Sequence, residues 1–419
     1  MPSVPLSGNV PFASLERLGL VALMGVGAAM LFSIAAAQIL LGLAVLAWLG
    51  LHLAGNQPVD APPFFWPLVA YAAATLLAAG FSLNPSVSVA DCKQLFLFLL
   101  VPVVYDFARG PRADTLLTIV ISVGAASALV GIVQYGILNY DNLGRRMQGT
   151  LSHWMTYSGT LMLVICASLA RLLFGARDRL WAAFVLPALL VSLALTLTRG
   201  AWLGAAAGAG VLFLIKDVRL TALIPIVAVI ALIAAPDALS DRMNSIGDMS
   251  DPTTRDRVAM LEAGVAIVRD HPWTGVGPDM VGHVYPDYRT ADAVQANNPH
   301  LHNVPMQIAA ERGVPALLLW LTFVASVIAG LWRLRRDPTV RPLAAAGLSA
   351  VAAMLVAGTS EYNFGDSEFL MLFLVMITIP FAAARSSSSE VAIGARRHFR
   401  HSLPPGHAGS SRASGPRPS

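Results

Sequence analysis

Charge is scarce in this chain, and so is cysteine. Lys, Arg, Asp and Glu make up 12% of 419 residues, against 56% hydrophobic residues, which leaves too little polar surface for a water-soluble globule. The two cysteines, Cys92 and Cys166, both lie at or inside apolar segments. The sequence therefore predicts neither a disulfide framework nor a cysteine metal site.

The net charge of +4 does not indicate a nucleic-acid partner. The basic residues lie mostly in short loops between apolar segments and in the C-terminal tail, where lysine and arginine are typical of membrane topology signals. We expect membrane lipids, not nucleic acid, to surround this chain.

Long apolar runs are abundant. A hydrocarbon core of about 30 Å needs roughly 20 helical residues per crossing, and backbone groups inside it must pair within their own segment. The sequence therefore predicts an all-α, polytopic integral membrane protein with about twelve transmembrane helices. The predicted spans are 17–33, 35–53, 64–83, 92–108, 115–138, 154–174, 180–198, 200–215, 219–236, 314–332, 342–359 and 367–384.

One long polar stretch interrupts the series. We predict transmembrane helices 1–9 within 1–236, a large loop over 237–313, transmembrane helices 10–12 within 314–385, and a disordered cytoplasmic tail over 386–419. Placing the positive loops in the cytoplasm puts the large loop outside. The acidic turn that contains Glu361 then lies outside as well.

A few arginines fall on the predicted outer side and contradict this topology signal: Arg199, at a junction between two apolar runs, and Arg145 and Arg146 in a short loop. An ionisable group at a helix junction in a membrane is a functional candidate. Snorkelling to lipid phosphates is the alternative for Arg199, and an ordinary outer loop is the alternative for the other two. A polyanionic ligand would suit all three, because guanidinium groups bind phosphate oxygens bidentately.

The loop contains an amphipathic helical pattern over 255–270, which begins with Arg255 and Arg257. It is followed by His271-Pro272 and Gly275-Val276-Gly277. The loop ends with His302-Asn303, nine residues, and Gly313, a stretch that reads as a short re-entrant or interfacial helix. His300, two residues before His302, reads as ordinary loop surface.

These motifs resemble the O-antigen ligases, within the larger group of O-antigen ligase and polymerase-like membrane proteins. That family has a histidine, then Asn, Ser or Gln, nine residues and a glycine at the end of its large periplasmic loop. It also has an arginine at an outer helix junction, matched by Thr198-Arg199-Gly200, and an arginine-led helix, matched from Arg257 onward. Ala316, where the ligase pattern favours Gly, Thr or Tyr, departs from it.

The resemblance implies a GT-C-like architecture in a Gram-negative inner membrane, with the site facing the periplasm. It implies transfer of O-antigen glycan from undecaprenyl diphosphate to a sugar hydroxyl of lipid A-core oligosaccharide, without nucleotide, cofactor or metal. His302 would act as base or position the acceptor, because a neutral imidazole accepts a proton near pH 7. Arg199, with Arg257 or Arg255, would stabilise the diphosphate leaving group, and direct attack would invert the anomeric configuration.

The remaining candidate residues are assigned supporting roles, and some of them have purely structural alternatives. Asn303 would fix the histidine or bind sugar, or act as a helix N-cap; Gly313 would meet a backbone requirement. Glu361 would orient an imidazole or an arginine. His153 would line the site or form an interfacial pair with Trp154.

Two other functions remain open from the sequence. An O-antigen polymerase or related oligosaccharyltransferase would use the same donor with a carrier-linked glycan as acceptor. A transporter would place ionisable residues or broken helices near the bilayer midplane, whereas the predicted mid-span positions here are almost wholly apolar.

Overall fold

The protein is built from helices. The computed structural model describes residues 10–56, 58–138, 146–151, 153–175, 178–234, 237–245, 248 and 250–401. Within these ranges all the regular elements are helical. They are α1 (Val10–Ala29), α2 (Ile34–Gly55), α3 (Phe65–Gly80), α4 (Pro85–Asp91), α5 (Leu100–Phe107), α6 (Pro111–Gly136), α7 (Trp154–Phe174), α8 (Arg179–Leu195), α9 (Arg199–Lys216), α10 (Leu223–Ala234), α11 (Asp237–Asn244), α12 (Pro252–Asp270), α13 (Val281–Tyr288), α14 (Val304–Leu334), α15 (Arg341–Ala357) and α16 (Ser367–His401), with 3₁₀ segments at Cys92–Leu99, Val218–Ala222 and Asn363–Gly365.

Helices occupy the ranges in which spans are predicted, and six helical segments among the described residues are long and apolar enough to cross a membrane. Four further apolar helices are shorter, at 10–17 residues. The candidate spans are Ile34–Gly55, Pro85–Phe107, Pro111–Gly136, Trp154–Phe174, Val304–Leu334 and Ser367–Arg385. A polytopic helical membrane protein is therefore supported, while the count of twelve crossings and the sidedness of the loop stay predictions.

Several boundaries differ from the predicted ones; for example, α1 begins at Val10 and not at residue 17, and α14 begins at Val304 and not at residue 314. The span predicted from residue 92 begins at Pro85 and is interrupted by the 3₁₀ segment before α5. At the other end of the chain, α16 continues to His401, beyond the predicted boundary at residue 385.

Helices α7 and α16 form the centre of the bundle, and more than three quarters of each apolar window is buried. Helix α15 packs against α7, α9 and α16. The buried faces of α9 and α15 are rich in alanine and glycine, and small residues allow helix backbones to approach closely within a membrane. This packing fixes the ends of α7, α9, α15 and α16 relative to one another.

The described helices of the polar stretch 237–313 include a layer at one end of the bundle, which we call the loop end. Helices α12, α13 and the first part of α14 enclose a small core of their own, which includes Met260, Ile267 and Tyr285. Hydrogen bonds attach this core to the bundle: Leu83 N donates to Val276 O at 3.1 Å, and Ser88 Oγ donates to Pro278 O at 2.7 Å. The layer is therefore fixed against the helix ends.

The opposite end of the bundle has an ionic cluster around Asp106. Its carboxylate accepts hydrogen bonds from Trp48 Nε1 at 2.7 Å, Arg109 Nη2 at 2.6 Å and Arg385 Nη1 at 2.7 Å. These contacts join α2, α5 and α16 at the end remote from the loop.

Candidate functional site

Glu361 lies at the loop end, between α15 and α16, and connects two distant segments of the chain. Its Oε1 accepts a hydrogen bond from Arg257 Nη2 at 2.6 Å, and its Oε2 lies 3.3 Å from His302 Nδ1. The partners are 104 and 59 residues away in sequence. The Glu361 side chain is 10% exposed, so solvent screens this charge-assisted contact less than it would a surface ion pair.

His302 is held in an uncommon backbone conformation. Its φ is +48°, in the left-handed region that non-glycine residues rarely adopt. The next residue, Asn303, is the N-cap of α14: its Oδ1 accepts from Met306 N at 2.9 Å, and its Nδ2 donates to Thr359 O at 3.1 Å. Val304 N also donates to Gly358 O at 2.7 Å. The histidine segment is therefore tied directly to the chain that carries Glu361.

Arg257 lies in the first turns of α12. Asp251 caps this helix by accepting from Thr253 N and Thr254 N at 3.0 and 3.1 Å, and Pro252 suits the first helical position. Arg255 is exposed, whereas Arg257 contacts Glu361. Of the two arginines that the sequence leaves as alternatives, the structure brings Arg257 to the site.

Arg199 is the first residue of α9 and is buried, at 6% exposure. Its Nη1 donates to Ser245 O and Oγ at 2.6 and 2.9 Å, and its Nη2 lies 3.1 Å from Asp251 Oδ1. The next residue, Gly200, allows the close approach of α9 to Glu361, because a Cβ there would lie 3.3 Å from Glu361 Cγ. The carboxylate that caps α12 thus also binds the arginine of α9.

Arg146 lies beside the same group of charges. Burial lowers its pKa, and the charges that act on it are those of Glu361, Arg199, Arg257 and Asp251. Its guanidinium carbon lies 5.3 Å from the centre of the Trp154 ring. Three guanidinium groups and the carboxylates of Glu361 and Asp251 thus act on one another at this end of the bundle. Arg145, also predicted as a site residue, lies outside the described residues.

His153 caps α7. Its Nδ1 accepts from Met155 N at 3.2 Å, which places the proton of the neutral ring on Nε2. The ring stacks on Trp154 with centroids 4.0 Å apart, and burial lowers its pKa. His153 therefore pairs with the tryptophan and also lines the cavity described next, while its role in a site stays a prediction.

A cavity of about 250 Å³ opens beside Glu361. It is lined by His153, Met155, Thr156, His300, Glu361, Tyr362, Asn363, Asp366 and Phe369. The interpretation of His300 as ordinary surface is wrong: burial lowers its pKa to about 4, and its ring centroid lies 4.3 Å from that of His302.

Gly313 marks a kink inside α14, with φ +81° and ψ 167°. A Cβ at this position would meet the Trp273 carbonyl, so the backbone requirement considered for Gly313 is present. Just before the kink, Arg312 is buried and donates to Glu311 Oε2 at 2.6 Å and to the Tyr362 hydroxyl at 3.3 Å. This buried pair supports the chain segment next to Glu361.

Comparison with known families adds to this geometry. Residues 182–321 match the family model described as O-antigen ligase. This region is O-antigen ligase-like. It contains Arg199, Arg257, His302 and Gly313, the residues on which the sequence resemblance rests, and it makes up about a third of the chain. No curated protein matches the chain.

The O-antigen ligase-like match and the apolar helices together support a multi-pass bacterial membrane protein of glycosyltransferase type, with polysaccharide and lipid substrates. Glu361 and most of the cavity lining lie outside the matched region.

Several residues near the site escaped the sequence analysis. Thr156, Asn363 and Asp366 carry no motif, and only the fold brings the start of α7 to the turn before α16. The acidic turn on the predicted outer side was the one available signal for Asp366.

Proposed function

We propose that the protein is an O-antigen ligase. It transfers a glycan from undecaprenyl diphosphate to a sugar hydroxyl of lipid A-core oligosaccharide, with inversion, at the periplasmic face of the inner membrane. The observation that carries the proposal is the Glu361 carboxylate, which holds Arg257 and His302 together at the loop end. Such an arrangement suits a reaction between an anionic leaving group and a hydroxyl nucleophile.

His302 receives the acceptor proton in this proposal. Glu361 Oε2 accepts the Nδ1–H of the neutral ring, which leaves Nε2 with a lone pair for the acceptor hydroxyl. A carboxylate in this position holds the imidazole in one tautomer and stabilises the imidazolium that forms. The left-handed backbone at His302 is consistent with a constrained functional residue.

The arginines bind the donor diphosphate. Arg257, which is bound to Glu361 through Nη2, has a planar guanidinium whose other N–H donors match phosphate oxygens. Arg199, whose Nη atoms contact Ser245 and Asp251, and Arg146 contribute positive charge beside it. Negative charge grows on the leaving diphosphate as the glycosidic bond breaks. Fixed guanidinium groups in a partly buried site stabilise that charge, and we assign them the role that a metal ion has in other diphosphate chemistry.

The step balances without a redox partner. The acceptor oxygen forms a bond to the anomeric carbon while the bond from that carbon to the phosphate oxygen breaks. The electron pair of the broken bond leaves with undecaprenyl diphosphate, and the hydroxyl proton moves to His302. A single displacement of this kind inverts the anomeric centre, so a product linkage of retained configuration would contradict it.

Lipopolysaccharide banding in a ligase-deficient host tests the proposal. The host expresses the parent or the His302→Ala variant at matched membrane levels, together with the cognate glycan pathway. We expect the parent to restore capped lipid A-core and the variant to lose at least about 100-fold of the transfer, the lower end of a general-base contribution. The matched control is His283→Ala, which alters an exposed histidine of the same loop.

Each other outcome contradicts the proposal in a distinct way. Longer carrier-linked chains without capping would indicate the polymerase. Unchanged capping and chain length, with the donor present, would favour a transporter. Full capping by His302→Ala would keep the ligase but remove the histidine from its chemistry.

A further inference from the structure

The segment 272–276 crosses the ends of two apolar helices at the loop end. Its first residue, Pro272, accepts a hydrogen bond from Val314 N of α14 at 2.8 Å, and its last residue, Val276, accepts one from Leu83 N at 3.1 Å, just beyond α3. The segment is therefore fixed where α3 ends and where the long apolar part of α14 begins.

Large apolar side chains at this place are not covered by protein. Trp273 is 77% exposed, Phe81 is 69% exposed, and Leu83 and Val314 are exposed beside them. We call these four side chains the Trp273 corner. A Cβ on Gly313 would meet the Trp273 carbonyl, so the corner lies directly against the kink of α14. A group of exposed large apolar side chains marks an interaction surface.

The corner carries no formal charge. The segments that form it, 81–83, 272–276 and 313–318, include no Asp, Glu, Lys or Arg. An acidic or basic partner finds no opposite charge here, and attraction to anionic lipid headgroups alone would not hold the corner. Its binding energy must come from the removal of apolar surface from water.

The corner is continuous with the lipid-facing sides of α3 and α14. Leu76 and Leu77 are exposed on the last turns of α3, and Leu318 and Leu321 are exposed on α14 just beyond the kink. Both helices are apolar, and Val304–Leu334 is long enough to cross a membrane. In a membrane these leucines contact acyl chains. Tryptophan is enriched where such a surface reaches the headgroups, because its ring is apolar and its N–H is polar.

We propose that the Trp273 corner docks into the lipid leaflet at the loop end, with the Trp273 ring at the level of the headgroups. The inference goes beyond the proposed function, because it holds whichever reaction the site performs. Arg312, next to the Gly313 kink, donates to the Tyr362 hydroxyl. Docking therefore also keeps the turn that carries Glu361 near the plane of the lipid phosphates.

Nitroxide labels measure the depth of the corner. Full-length protein with Cys92→Ala and Cys166→Ala receives one new cysteine, from Trp273→Cys, Phe81→Cys or the control Glu262→Cys, and is reconstituted into phosphatidylcholine vesicles. Glu262 is exposed on α12 in the same layer. Electron paramagnetic resonance then compares collisions with oxygen, which concentrates in the bilayer, and with a nickel chelate, which stays in water.

We expect the labels at Trp273 and Phe81 to collide more with oxygen and less with nickel than the label at Glu262. Leu318→Cys provides a depth reference, because Leu318 lies roughly 6 Å along the helix beyond Val314, and its label should lie deeper than that at Trp273. Added phosphatidylglycerol or salt should change none of these depths, since the corner carries no charge.

Each contrary result overturns the inference. A label at Trp273 as accessible to nickel as the one at Glu262 would place the corner in water, and a bilayer signal at only one of Trp273 and Phe81 would refute docking of the corner as a unit. Spin–spin broadening with low access to both reagents would show that a second copy of the chain covers it. Insertion only with phosphatidylglycerol would replace the apolar contact by an electrostatic one. None of these measurements depends on glycan transfer, so the inference and the proposed function fail separately.

Discussion

Glu361→Gln removes one charge from the centre of the site and leaves its shape almost unchanged. The carboxylate is largely buried and makes a 2.6 Å charge-assisted bond to Arg257, a type worth about 1.5–3 kcal/mol. If that interaction serves the transition state through the placement of Arg257 and His302, its loss lowers kcat by about 10- to 200-fold, since about 1.4 kcal/mol corresponds to a factor of ten.

Initial rates over a range of donor and acceptor concentrations measure this effect. A role in the transition state predicts a fall in kcat that exceeds any rise in either KM. Glu262→Gln is the matched control, because Glu262 is exposed on the same helix, α12, that carries Arg257. Unchanged kcat in Glu361→Gln would refute the reasoning, as would a rate loss matched by loss of folded protein in a thermal melt.

Two further predictions concern stability. The pKa of His300 is about 4 in the folded protein, against 6.5 for the unfolded chain. Protonation of His300 therefore costs the folded state nothing above pH 6.5, and it lowers the free energy of unfolding by about 3 kcal/mol as the pH falls to 4. Thermal melts across this range are expected to depend less on pH in His300→Gln, and equal slopes for parent and variant would contradict the assignment. Gly313→Ala is expected to cost about 3 kcal/mol, because its backbone conformation is nearly exclusive to glycine. The melting temperature should fall well below that of Gly42→Ala, whose Cβ meets open space.

The helices were predictable because a membrane span needs only length and apolar composition. The ranges predicted for α6, α7 and α14 to α16 all coincide with apolar helices. Boundaries were less predictable, because apolar composition does not distinguish one kind of helix from another. The 3₁₀ segment Cys92–Leu99, for example, interrupts one span although its residues are largely apolar.

The sequence indicates candidate residues for the site but does not indicate which of them contact one another. Arg199, Arg257 and His302 stand out by motif, and Arg199 also by its position at a helix junction. The choice of Arg257 over Arg255 needed the rotation of α12 against Glu361. His300 was misjudged because burial is a tertiary property, and a histidine in a polar loop has no local pattern that indicates it.

The carboxylate of Glu361 contacts Arg257 and His302 and also lines a cavity that other parts of the chain form. Arg199, Arg257 and His302 lie between residues 182 and 321, whereas Thr156, Asn363 and Asp366 come from α7 and from the turn before α16. Glu361 is therefore the side chain at which the matched segment meets chain that lies outside the match, and a change at this one position reaches both.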